Sequence, residues 1–163
     1  MKIVVMGVSG CGKSTLGAAL ADALGLAFHE GDALHPPANI VMMRNGIPLT
    51  DADRWPWLDQ VGDVLKRAGA GVVSCSALRH AYRDRIRARA GEPVRFIHLA
   101  GNRDLLATRM AARESHYMPL SLLDSQMATL EMPEPEEALT LDIALSPDAL
   151  LQTSLDYLKG YQP

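Results

Sequence analysis

Residues 4–20 read VVMGVSGCGKSTLGAAL. A short apolar run enters a glycine-rich turn, which ends in a lysine and two hydroxyls before a stretch of small residues. Gly7, Gly12, Lys13 and Ser14 fit the pattern G-x-x-x-x-G-K-[ST]. The glycines let the backbone curl so that successive N–H groups converge on phosphate oxygens. A helix starting at the lysine adds the positive end of its dipole. The segment Gly7, Val8, Ser9, Gly10, Cys11, Gly12, Lys13, Ser14 and Thr15 is therefore expected to cradle the phosphates of a nucleoside triphosphate. Lys13 would reach the β- and γ-phosphates, and the Ser14 hydroxyl would hold Mg²⁺. Cys11 inside the loop is either a tolerant small position or a thiol whose oxidation blocks the nucleotide.

The chain has 163 residues, a length that predicts one domain spanning 1–163. A net charge of −3 gives no electrostatic support to a nucleic-acid partner. The apolar runs fall short of a membrane span, and no leader pattern precedes MKIVVMG. Two cysteines without metal-ligand spacing read as reduced thiols, so a cytoplasmic protein is expected.

Apolar runs alternate with helical patterns along the whole chain. Strands are expected at KIVVM (2–6), AFHEGD (27–32), VVSCSAL (72–78), VRFIHLAG (94–101) and ALTLDIAL (138–145), with helices after them. The polar stretch IPLTDADRWP (47–56) reads as a loop before the helix WLDQVGDVLKRAGAG, and EMPEPEE (131–137) as a surface loop. This alternation predicts an α/β fold with a parallel sheet wrapped by helices, whose ligands sit beyond the carboxyl ends of the strands.

Residues just after the strands should therefore carry the chemistry. The strand 72–78 ends in Ser and Cys where many P-loop ATPases place an aspartate, and no N-K-x-D guanine reader is present. A carboxylate from elsewhere must serve, and Asp32 in EGDALHP is the candidate. It either caps the next segment or orients an acceptor hydroxyl, takes its proton and helps hold the metal. Arg54, Arg79 and Arg83 fall at the same edge and suit an acceptor carboxylate or phosphate. Arg85, Arg87 and Arg89 read as a solvated helix face. Arg109 and Arg113, one helical turn apart, are either an exposed pair or lid arginines that close over ATP. From spacing alone, His35 and His116 read as structural or exposed histidines, and Trp55 and Trp57 as packing residues.

Taken together, MGVSGCGKST, EGDALHPPANIVMMRNGIPLTDADRWPWL, VVSCSALRHAYRDRIR, FIHLAG and SHYMPLSLLDSQMATLE closely resemble the gluconokinase family. The segments G-D-x-L-H-P and C-S-A-L-[KR] carry the resemblance. The phosphate loop alone would choose no family. The resemblance implies a P-loop fold like that of the nucleoside-monophosphate kinases, with a lid, that transfers the ATP γ-phosphoryl group to the 6-hydroxyl of D-gluconate. It also implies a cytoplasmic homodimer with Asp32 as base and with His35, Arg54, Arg79, Arg83, His116 and Gln126 as gluconate ligands. The lid stretch ARESHYMP departs from the basic RKGHF-like form expected there. Shikimate, another hydroxylated carboxylate, would suit the same residue types, and a non-catalytic ATP-binding switch is the reading from a different class.

Overall fold

The computed structural model describes residues 1–91, 93–112 and 119–161. Strand β1 (Lys2–Met6) is buried at every position, as its apolar run requires of a strand covered on both faces. Helix α1 (Lys13–Leu24) follows the glycine-rich loop and is closed by Gly25 in the left-handed region (φ 65°). Next come β2 (Phe28–Glu30), a 3-10 turn (Gly31–Leu34), α2 (Pro37–Arg44), α3 (Asp51–Ala68), β3 (Gly71–Ser74) and α4 (His80–Ala90). The remainder is β4 (Val94–Ala100), α5 (Arg103–Ala111), α6 (Leu120–Thr129), β5 (Ala138–Asp142) and α7 (Pro147–Lys159).

The five strands form one parallel sheet in the order β2-β3-β1-β4-β5. Parallel neighbours need crossover connections, and the intervening helices provide them. Helix α1 packs on β1, β2 and β3 and against α7, while α3 packs on β3 and against α4. Ile3, Val4, Val5, Val72, Val73, Phe96 and Ile97 on the inner strands are fully buried. Each such side chain contributes about 1.5–3 kcal/mol by leaving water. Among the described residues no helix is long and apolar enough to cross a membrane.

Strands β2 and β5 end earlier than expected, at Glu30 and Asp142, and two further boundaries differ in ways that matter for the site. The stretch 47–56 is not all loop, because α3 already begins at Asp51. Thr50 Oγ1 accepts from the Asp53 N–H at 3.2 Å, and the Asp53 carboxylate accepts from the Thr50 N–H at 2.9 Å. This reciprocal cap starts the helix early despite Pro56 within it, and so places Arg54 on a rigid element. Conversely, β3 stops at Ser74, and Cys75–Leu78 turn away through Ala77, a non-glycine residue at φ 44°.

Candidate active site

The loop between β1 and α1 takes up backbone conformations that glycine adopts without strain, with Gly10 at φ 81° and Gly12 at φ 96°. Lys13 Nζ lies along the loop and donates to the Val8 carbonyl at 3.0 Å. The loop separates two cavities, and Gly10 and Gly12 border both. On one side is a cleft of about 460 Å³ that reaches Lys13, Ser14, Asp32, His35 and Arg54. On the other is a more apolar cavity of about 370 Å³, walled by Thr15, Leu16, Ala19, Arg109, Leu150 and Leu151 among others.

The carboxylate missing from the end of β3 is supplied by its neighbour β2. Ser14 Oγ donates to Glu30 Oε2 at 2.6 Å, and Ser74 Oγ donates to Glu30 Oε1 at 2.5 Å. Among the described residues no cluster of three or more His, Cys, Asp or Glu could hold a metal by itself. Ser14 and Glu30 offer hard oxygens at the phosphate end of the cleft, a set that fits a Mg²⁺ ion whose shell phosphates and water complete. Gly31 comes next, and a Cβ there would stand 1.8 Å from the Ser74 carbonyl oxygen. Only glycine lets the chain leave β2 so close to β3. Asp32 follows on the 3-10 turn, exposed and lining the cleft.

The far wall is built from side chains. His35 stacks on Trp57 with ring centroids 4.0 Å apart and planes 16° from parallel. Trp57 is anchored in turn by its Nε1, which donates to the Gly31 carbonyl at 2.8 Å. Burial, and then the nearby Arg54 guanidinium, push the His35 pKa down to about 4, so its ring is neutral at pH 7. Arg54 contributes the one guanidinium on the described lining of the cleft. Its Nη1 donates to the Tyr82 hydroxyl at 2.8 Å, and that hydroxyl donates to Asp51. From α6, Gln126 reaches the phosphate loop, where its Oε1 accepts from the Ser9 N–H at 2.8 Å. Ser76, Leu78, Leu122 and Ser125 complete this side.

Lys13, Ser14, Asp32, His35, Arg54 and Gln126 thus converge on one cleft. Arg109 lines the other cavity and donates to the Ile143 carbonyl at 2.7 Å. Arg79 is not among the residues lining the cleft; half-exposed, its Nη1 stands 3.6 Å from Asp51, whose carboxylate is also 4.0 Å from Arg54. Arg83 is a correction. It is fully buried, with Nε 2.7 Å from Glu137 and Nη1 donating to the Ala77 carbonyl at 2.7 Å, while Nη2 donates to the Glu131 carbonyl at 3.0 Å. It has no face left for a ligand and instead holds the left-handed turn at Ala77, a conformation that costs about 1–2 kcal/mol. Arg85 and Arg89 are likewise not simply solvated, since they fork onto Asp59 and Asp63 of α3. Arg113 and His116 lie outside the described residues.

Glu30 and Ser76 escaped the sequence reading. Glu30 falls inside the strand expected over 27–32, and only the true end of β2 brings it to the cleft. Ser76 sits past the true end of β3, where the expected strand continued.

A phosphate loop with a cavity on either side, one of them setting Asp32 and Arg54 beside Lys13 and Ser14, defines a P-loop kinase for a small acceptor. The chain belongs within that class to the gluconokinase family. It is 48% identical over 165 residues to a gluconokinase of Gluconobacter oxydans, a match covering 97% of this chain and 91% of that relative. A crystal structure of a gluconokinase from Sinorhizobium meliloti matches with a TM-score of 0.90 at 48% identity, covering 98% of this chain and 92% of that one. A shikimate kinase from Bacteroides thetaiotaomicron shares the fold, with a TM-score of 0.71 over 98% of both chains but 17% identity. No family model matches the chain.

Proposed function

We propose that the protein transfers the γ-phosphoryl group of ATP to the 6-hydroxyl of D-gluconate. The bond from the gluconate oxygen to phosphorus forms as the bridging β–γ bond breaks, and the hydroxyl proton passes to Asp32. The products are ADP and 6-phosphogluconate. The observation that carries this reading is the pairing of Asp32 and Arg54 in the cleft that opens on the Lys13 side of the phosphate loop. A carboxylate there can orient a hydroxyl for in-line attack, and a guanidinium can fork onto the acceptor's own carboxylate.

Backbone N–H groups within the loop 7–15 that stay clear of Ser76 and Gln126 bind the phosphates, and Lys13 gathers charge on the transferring group. Ser14, with Glu30 hydrogen-bonded to it, would hold a Mg²⁺ ion, which would supply charge neutralisation at the phosphates. ATP extends across the loop into the more apolar cavity, where Arg109 lies, and Arg109 acts with Arg113 as the lid pair. His35 and Gln126 hold acceptor oxygens, His116 closes over them, and Arg79 backs Arg54 through Asp51. Closure matters because water would otherwise compete as the phosphoryl acceptor. The same reading has a single domain over 1–163 working as a homodimer. Two buried, unpaired cysteines support a cytoplasmic setting.

The test is ATP-dependent ADP formation with no acceptor, with D-gluconate and with shikimate. Stimulation by gluconate is expected. Stimulation by shikimate instead would replace the acceptor, and ATP binding without stimulation by either would favour a nucleotide-dependent switch.

A further inference from the structure

Asn39 is buried in the first turn of α2, four residues after His35, and touches its ring. Its Nδ2 donates to the Asp53 carbonyl at 2.9 Å. A backbone carbonyl can only accept, so this bond fixes which end of the amide is nitrogen. The same Nδ2 lies 3.2 Å from His35 Nδ1. An amide nitrogen donates and does not accept, so Nδ1 must offer its lone pair and the ring proton must sit on Nε2. The stack on Trp57 holds the ring in its plane. With Nδ1 turned to Asn39, Nε2 is the nitrogen left to face the cleft that His35 lines.

We propose that Asn39 is a positioning residue that locks His35 as the Nε2–H tautomer, so that His35 meets the acceptor as a neutral hydrogen-bond donor and not as a base. The inference rests on the acceptor-site reading above and deepens it. A ring committed as a donor cannot take the proton of the acceptor hydroxyl, which leaves that step to Asp32. It selects for an acceptor that presents an oxygen lone pair at this point, from a hydroxyl or a carboxylate, and disfavours one that presents a donor only. Burial and the Arg54 charge act in the same direction by keeping the ring neutral.

The experiment has two arms. In the first, ¹⁵N NMR of the whole ligand-free protein at pH 7.5 reads the protonation of each imidazole nitrogen, with His35 assigned by the signals lost in His35→Gln. Native His35 is expected to carry its proton on Nε2, and Asn39→Asp, which offers a carboxylate to Nδ1, to move the ring toward Nδ1–H or the doubly protonated form. A native His35 protonated on Nδ1 overturns the proposal, even if Asn39→Asp does not fold. In the second arm, the KM for gluconate in His35→Gln, whose amide still donates, should stay within about tenfold of the native value, whereas His35→Leu should raise it about 100-fold, the loss of one buried hydrogen bond. The KM for ATP should hold in both. Equal losses in the two variants would overturn the donor role. The NMR arm does not depend on the acceptor's identity, so a failure of the gluconate reading in the ADP assay is distinguishable from a failure of the lock.

Discussion

In the phosphate loop the groups proposed to meet the ligand belong to the backbone, which Gly7, Gly10 and Gly12 carry through positive φ. In the acceptor cleft they are side chains delivered from the exit of β2, from α3, from the turn after β3 and from α6. The first site depends on local conformation, and most of its side chains are incidental. The second depends on each side chain and on a further layer that holds it: Trp57 under His35, Tyr82 and Asp51 behind Arg54, and Arg83 beneath the Ala77 turn. The contrast implies that nucleotide handling and acceptor handling can be broken separately.

The largest effect is expected from Asp32→Asn. If Asp32 belongs to the acceptor side, kcat falls by about 10²–10⁴-fold while the Kd for ATP is unchanged. Loss of ATP affinity with turnover preserved would move Asp32 to the phosphate side.

Arg83 and Arg54 sharpen the comparison within the cleft wall, since one is buried beneath it and the other lines the cleft. Arg83→Leu leaves Glu137 with His80 and Arg87 but takes the donor from the Ala77 and Glu131 carbonyls. Each buried carbonyl so stripped is expected to cost about 1–3 kcal/mol in urea unfolding. Arg54→Lys keeps the charge but loses the fork, and should raise the KM for gluconate by about 10–100-fold with the KM for ATP unchanged. A stability loss in Arg54→Lys as large as that of Arg83→Leu would break the distinction.

A smaller effect concerns pH. Burial first, and then the charge of Arg54 on His35 and of Arg83 on His98, push both histidines from 6.5 down to about 4. Above pH 6.5 both the folded and the unfolded chain are neutral at these rings, and they contribute no pH dependence. Between about pH 6.5 and 4 the unfolded chain binds protons that the folded chain refuses, so stability falls with falling pH. His35→Gln should flatten part of that slope in thermal melts. An unchanged slope would contradict the depressed pKa.

The sheet and the phosphate loop were legible because their signals are local: apolar runs of strand length, a glycine-lysine-serine spacing, and Gly25 closing α1. The place of Asp32 on the cleft was legible because strand ends locate clefts in this architecture, whereas Arg54 follows no strand and reaches the cleft from α3. Arg83 was misread because its spacing one turn beyond Arg79 says that two side chains share a helix face, but not that Glu137, distant in sequence, waits under one of them. Glu30 was missed for a similar reason, since its partners Ser14 and Ser74 meet only when β2 pairs with β3. The start of α3 was readable in principle from Thr50 and Asp53, three residues apart, which cap it reciprocally.

The most direct test of the central claim, that Asp32 meets a primary hydroxyl of a sugar acid across the phosphate loop, is ³¹P NMR of the reaction with ATP and D-gluconate. The account predicts one phosphomonoester equal in amount to ADP, its signal split into a triplet by the paired protons on C6. A doublet from a secondary carbon, or inorganic phosphate in place of an ester, would contradict it.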